Sequence, residues 1–139
     1  MIPTALDTIP APPCSKLLGW RLLDAQPEAG WIRIGFDGKP EFPNPAGLSQ
    51  GGILSAMLDD TMGPAVLVKT NGRLYTATIS MNVSFVAPAR VGIIIGEATV
   101  LQLGRTVAFI EGKLMDEAGG LLATATANAR LVAAQKAIT

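Results

Sequence analysis

Residues 74–85 alternate with a period of two: Tyr75, Ala77, Ile79, Met81, Val83 and Phe85 fall on one side, Thr76, Thr78, Ser80, Asn82 and Ser84 on the other. Such alternation predicts a long strand with an apolar and a polar face. Residues 31–36 repeat it, with Ile32, Ile34 and Phe36 opposite Trp31 and Arg33, and Gly30 and Asp37-Gly38 as flanking turn residues; this is the first predicted strand. Residues 91–101, 106–115 and 121–132 follow as three more, separated by turn residues at 103–105 and 116–120, the spacing of an antiparallel meander. The last alternates Ala123, Ala125, Ala127 and Ala129 with Thr124, Thr126, Asn128 and Arg130. So many small residues on one face predict the close approach of something bulky, and a buried helix is the natural candidate.

The period changes between residue 50 and about residue 69. Ile53, Leu54, Met57, Leu58 and Met62 recur at three- and four-residue spacing, opened by Gly51-Gly52 and disturbed at Gly63-Pro64. Apolar residues on nearly every side predict a buried helix. Three prolines forbid a regular element over residues 40–47, and loops of this kind often carry function. Residues 1–13 read as an irregular, proline-rich arm, and residues 14–19 as a short helical turn. One strand, a long helix and four antiparallel strands predict an α+β domain spanning residues 1–139, its sheet curled around the helix.

Composition narrows the function. At 139 residues there is room for one core. Eleven Lys plus Arg balance eleven Asp plus Glu, with no basic run to serve as a phosphate-backbone footprint, so nucleic acid is excluded as an expected partner. The 49% hydrophobic content is not gathered into any run near the ~20 residues of a membrane span, and is read instead as subunit interface. The first residues lack a secretory pattern, which predicts a cytoplasmic protein. Cys14 is the lone cysteine and histidine is absent, so Cys/His metal sites cannot be assembled and no metal or other cofactor is expected.

Without imidazole, proton transfer at neutral pH falls to carboxylates. Asp7, Asp24, Glu28, Asp37, Glu41, Asp116 and Glu117 fall in arm, turns or loops, Glu97 and Glu111 on strands; Asp59 and Asp60 alone interrupt the apolar helix. Two carboxylates there require either hydrogen-bonding partners or a catalytic role. Asp59 shares an i, i+4 row with Ser55 and Gly63, which leave space over it, and is therefore favoured as the functional group, with Asp60 a structural partner. Gly51-Gly52 at the helix start admits two readings as well: tight packing against the sheet, or free N–H groups for an oxyanion.

The stretch from Asn44 through Gln50-Gly51-Gly52 to Asp59-Asp60 resembles the signature of hotdog-fold acyl-CoA thioesterases of the phenylacetate-degradation type. Residues 78–92 and the turn Gly104-Arg105-Thr106 are similar to that family as well, so the likeness covers roughly residues 14–132. The resemblance implies a hotdog fold with a five- to six-stranded sheet and hydrolysis of an acyl-CoA. It implies that Asp59 is the catalytic carboxylate, as general base or nucleophile, that Gly51 offers its N–H to the thioester oxygen, that Asn44 orients the carbonyl or the water, and that Thr78 helps to place that water. Gln50 stands where the family more commonly has His. For CoA itself the expected contacts are Ser80, the strand end from Phe85 through Pro88 to Arg90, and Gly104-Arg105. The acyl group is expected to be aromatic or of medium chain length, given the apolar Leu54, Met57, Met62 and Phe85.

Spacing adds a separate inference. Gly51 and Asp59 are eight residues apart, ~12 Å along one helix. An oxyanion donor and a base acting on one carbonyl must each lie within ~3 Å of the reacting atoms. If both act, they come from different subunits, which predicts a homodimer, or a homotetramer built as a dimer of dimers, with two composite sites. A dehydratase on the same architecture would need the missing histidine; a non-catalytic acyl-CoA-binding protein is the remaining alternative.

Overall fold

The computed structural model describes residues 4–134. The expected span extends beyond them at both ends, and residues 1–3 of the arm lie outside the described part. Six strands form one antiparallel sheet in the order β1-β2-β4-β5-β6-β3. They are β1 (Arg21–Gln26), β2 (Trp31–Gly38), β3 (Leu74–Phe85), β4 (Gly92–Leu103), β5 (Val107–Asp116) and β6 (Leu121–Ala133). Helix α1 (Pro13–Leu17) precedes β1, and the long helix α2 (Gly51–Lys69) links β2 to β3. Within the arm, Ala5–Thr8 forms a 3-10 turn closed by a capping box between Thr4 and Asp7.

β1 is the element that the hydrophobic pattern did not announce. A bulge between Leu22 and Asp24 breaks its register against β2, and with it the alternation that would mark a strand.

The core lies between α2 and the sheet. Leu54, Met57, Leu58, Met62, Ala65 and Val66 are buried with Ile32, Ile34, Phe36, Ile94, Ile110 and Leu114. The alanine row of β6, Ala123 to Ala129, faces the same core, as its small side chains predicted. Gly96 brings the helix onto β4: a Cβ there would stand 2.5 Å from Thr61 Oγ1. Burial of α2 is nevertheless not complete. Gly52 and Asp59 are exposed and Ser55, Ala56, Asp60 and Gly63 only half-buried, because the sheet wraps one side of the helix. Sheet around helix in this connection is the hotdog arrangement.

β3, twelve residues long, is an edge of the sheet. Its register against β6 shifts between Thr78 and Ser80, so Ile79 is an extra, unpaired residue. The single alternation expected along residues 74–85 is therefore interrupted: Leu74, Thr76 and Thr78 face the helix before the bulge, and Met81 and Val83 face it after. The change of face sets Thr78 and Ser80 on opposite sides of the sheet.

Candidate active site

Asp59 projects from the middle of α2 on the side left uncovered by the sheet, between Ser55 and Gly63 on its row. Thr78 Oγ1 donates a 2.8 Å hydrogen bond to Asp59 Oδ1. Because β3 turns Thr78 toward the helix only up to the bulge, this contact depends on the strand's irregularity. The pair is exposed along the edge of the sheet, with one carboxylate oxygen engaged and the other accepting no protein hydrogen bond among the described residues.

Asp60 points elsewhere. Its Oδ2 accepts from Ser15 Oγ at 2.7 Å, holding α1 against α2. Burial pushes its pKa up from the ordinary 3.8 to about 6, the Ser15 hydrogen bond opposes that rise, and the neighbouring charge of Asp59 adds to it. Its backbone carbonyl has a separate story. Four residues on stands Pro64, inside the helix and without an N–H, so the usual i→i−4 bond to Asp60 O cannot form. Trp20 Nε1 donates to that oxygen instead, at 2.9 Å.

At the amino end of α2, Gln50 is the N-cap and makes no side-chain capping bond. The N–H groups of Gly51 and Gly52 donate to no described group, so the first turn presents free donors at the positive end of the helix dipole. Two loops frame this turn. Gln50 N donates to Phe42 O and Ser49 N to Ala89 O, which joins the segments before the helix and after β3. Phe85 leans on the turn from the end of β3: a Cβ on Gly51 would lie 3.1 to 3.4 Å from three of its ring carbons. Ser49, one residue before the cap, has a buried hydroxyl with no hydrogen-bond partner among the described residues.

Asn44 shapes its own loop. Its Oδ1 accepts from the N–H groups of Ala46 and Leu48 at 3.0 and 3.2 Å, an Asx-type turn that leaves its amide NH2 free of described partners.

The remaining expected contacts are scattered within one chain. Ser80 Oγ donates to Asn128 Oδ1 on the outer face, away from Asp59. Pro88 and Arg90 are exposed in the loop that follows β3, whereas Gly104 and Arg105 turn between β4 and β5, where Leu131 N meets Thr106 O. Since Leu131 pairs with Thr76, Arg105 lies near the start of β3 and Arg90 beyond its end. The nine residue steps from Thr76 to Phe85 span ~30 Å of extended chain, so the two arginines stand at opposite ends of the sheet. Two hollows of about 550 and 370 Å³ open on the outer face, the first beside Trp31, Glu97 and Lys113, the second beside Ser80 and Phe109. Neither is lined by Asp59 or Gly51.

The sheet wrapped around a helix defines a fold class, and comparison with known proteins gives the family. Residues 47–123 match the family model of the thioesterase superfamily. The chain belongs to that superfamily. A phenylacetic acid degradation-related protein from Ralstonia eutropha JMP134 is 33% identical, with a TM-score of 0.84 over 91% of this chain and 95% of its own. Zebra fish thioesterase superfamily member 2 is 26% identical, with a TM-score of 0.73 over 81% of each chain. The PaaI protein of the E. coli phenylacetic acid degradation operon, at 16% identity, shares the fold with a TM-score of 0.74 over 86% of this chain and 83% of its own. No curated protein matches the chain in sequence.

Proposed function

We propose that the protein is an acyl-CoA thioesterase acting on aromatic or medium-chain acyl groups, with each active site built from two subunits. The hydrogen bond between Thr78 and Asp59, on the open side of α2, is the observation that carries the reading. Asp59 acts as base or as nucleophile. As base, it takes a proton from water while the water oxygen attacks the thioester carbon; the oxyanion is held by the N–H of Gly51, and collapse expels the CoA thiolate, which recovers the proton. As nucleophile, it attacks the thioester carbon and expels the CoA thiolate, which takes a proton from water, and the resulting mixed anhydride is then opened by water to the free acid and the restored carboxylate. In either route Thr78 holds one carboxylate oxygen and thereby orients the other. Asn44, with its amide NH2 free, is assigned to the carbonyl or the water, and Gln50 to substrate orientation beside the donor turn.

α2 is continuous from Gly51 to Asp59, so the ~12 Å between donor and base stands. The long edge of β3 and the small, uncovered residues of α2 lie side by side, a surface suited to a second copy that brings its own Gly51 to Asp59. Antiparallel β3 strands in such a dimer would also set Arg105 of one chain beside the end of β3 that precedes Arg90 in the other, where the two could hold CoA phosphates with Pro88 and Gly104 nearby; Ser80, on the outer face, would reach CoA only if it ran over that face. Water, a carboxylate and backbone donors complete the chemistry without a metal or organic cofactor. An arylacetyl group is the first candidate, since the similar Ralstonia protein is described as phenylacetic acid degradation-related. A cytoplasmic setting fits a CoA thioester substrate and an unpaired Cys14.

Thiol release from a panel of acyl-CoAs tests this. Wild type is expected to turn over phenylacetyl- or hexanoyl-CoA, and Asp59→Asn to lower kcat by ~10² or more with an unchanged melting temperature. Full activity in Asp59→Asn would remove the residue from the chemistry.

A further inference from the structure

Phe85 continues the helix-facing row of Met81 and Val83, but its ring is not covered by the core. It is the last residue of β3, pairs with Ala123 of β6, and yet leaves 54% of its surface exposed. A large exposed aromatic normally has its body against something apolar. Here the ring stands against Gly51, within 3.1 to 3.4 Å of where a Cβ would be, at the helix turn whose first two N–H groups donate to nothing described. The buried, unpartnered hydroxyl of Ser49 lies one residue before the cap of the same turn. Free donors and an exposed ring thus belong to one turn, and a ligand whose oxygen reaches the donor of Gly51 passes close to the ring.

Which part of the ligand that is follows from chemistry. On the sulfur side of a thioester carbonyl, CoA offers two methylenes and then an amide, which needs hydrogen-bonding partners rather than a ring face. On the other side lies the acyl group, apolar or planar in the substrates proposed above. We infer that Phe85 is the specificity-determining wall of the acyl pocket, holding the acyl chain against the start of α2. The inference rests on the thioesterase reading and deepens it. The absence of a side chain on Gly51 then has a purpose beyond helix packing: it lets the ring close on the turn, keeps water from the donors and strengthens their hold on an oxyanion.

Phe85→Ala and the milder Phe85→Leu are compared with wild type on acetyl-, hexanoyl- and phenylacetyl-CoA, with free CoA as product inhibitor. For Phe85→Ala the expected result is a ~10-fold or greater loss of kcat/KM for hexanoyl- and phenylacetyl-CoA relative to acetyl-CoA, with the inhibition constant of CoA unchanged. Phe85→Leu is expected to lose phenylacetyl-CoA preference first, and it carries the test if the alanine variant does not fold. An equal shift for all substrates and for CoA would put the ring on the pantetheine arm and overturn the inference, as would an unaltered profile. Wild type inactive on every acyl-CoA would take the functional reading down as well; an active wild type with an unshifted variant profile would sink this inference alone.

Discussion

Asp59 and Asp60 are neighbours in sequence with opposite fates in the fold. A step of one residue turns ~100° around a helix, which here carries Asp59 to the open side and Asp60 toward α1. Asp60 is the group whose chemistry depends on pH. Its folded pKa, about 6, lies above the ordinary 3.8, so the folded chain binds this proton more tightly than the unfolded one. The stability it contributes is therefore present below pH 3.8 and is lost as pH rises through about 6. Asp60→Asn keeps an acceptor for Ser15 without a charge to desolvate. Melting curves across pH should show the variant gaining on wild type between these two values and holding a constant lead above them; a pH-independent difference would mean that Asp60 does not titrate there.

At the level of elements, α2 is held to its surroundings at the point where Pro64 interrupts its hydrogen-bond ladder. The orphaned carbonyl of Asp60 is taken up by Trp20, from the segment leading into β1. Trp20→Phe should leave a partly buried carbonyl unsatisfied and cost ~1–3 kcal/mol in urea denaturation, in addition to any loss of packing. Pro64→Ala restores an N–H to the same oxygen. In a double-mutant cycle, Trp20→Phe should therefore be less damaging in the Pro64→Ala background; strictly additive effects would show that the two donors do not compete for that carbonyl. The sequence marked this place only as a disturbance at Gly63-Pro64. That a proline could sit inside a continuous helix was legible only once a donor from forty residues earlier was seen to replace its bond.

For the molecule as a whole, the proposed site requires two chains, and light scattering should find at least a dimer at assay concentrations. A mixing experiment tests the sharing directly. Asp59→Asn removes the carboxylate, and Gly51→Pro removes the donor N–H at the first helical position, where proline is best tolerated. The proline must displace the ring of Phe85, which is more than half exposed to solvent. Each variant alone should be nearly inactive. In a mixed dimer one site carries both lesions and the other pairs an intact Gly51 with an intact Asp59, so activity should return, approaching one working site per dimer. Folded mixed dimers without activity would show that donor and carboxylate are not contributed by opposite chains.

Local pattern determined the greater part of the fold. Period-two alternation located β2 through β6, a change of period located α2, and glycine and proline placed the turns, because backbone geometry ties each pattern to one kind of element. The sequence also settled two chemical points without coordinates: imidazole is absent, and Gly51 and Asp59 stand eight positions apart. It left β1 unannounced and gave β3 two uniform faces. Both lapses come from bulges, at Leu23 and at Ile79, and a bulge is defined by how many residues the partner strand sets opposite it, which alternation along one segment does not contain. Pairing with β6 therefore decided that Thr78 turns in to meet Asp59 while Ser80 turns away. Tertiary packing likewise decided that Asp60 is partly enclosed and Asp59 open, and that Phe85 rests on Gly51, since these are contacts between segments distant in sequence and follow from where the curled sheet sets each segment against the helix.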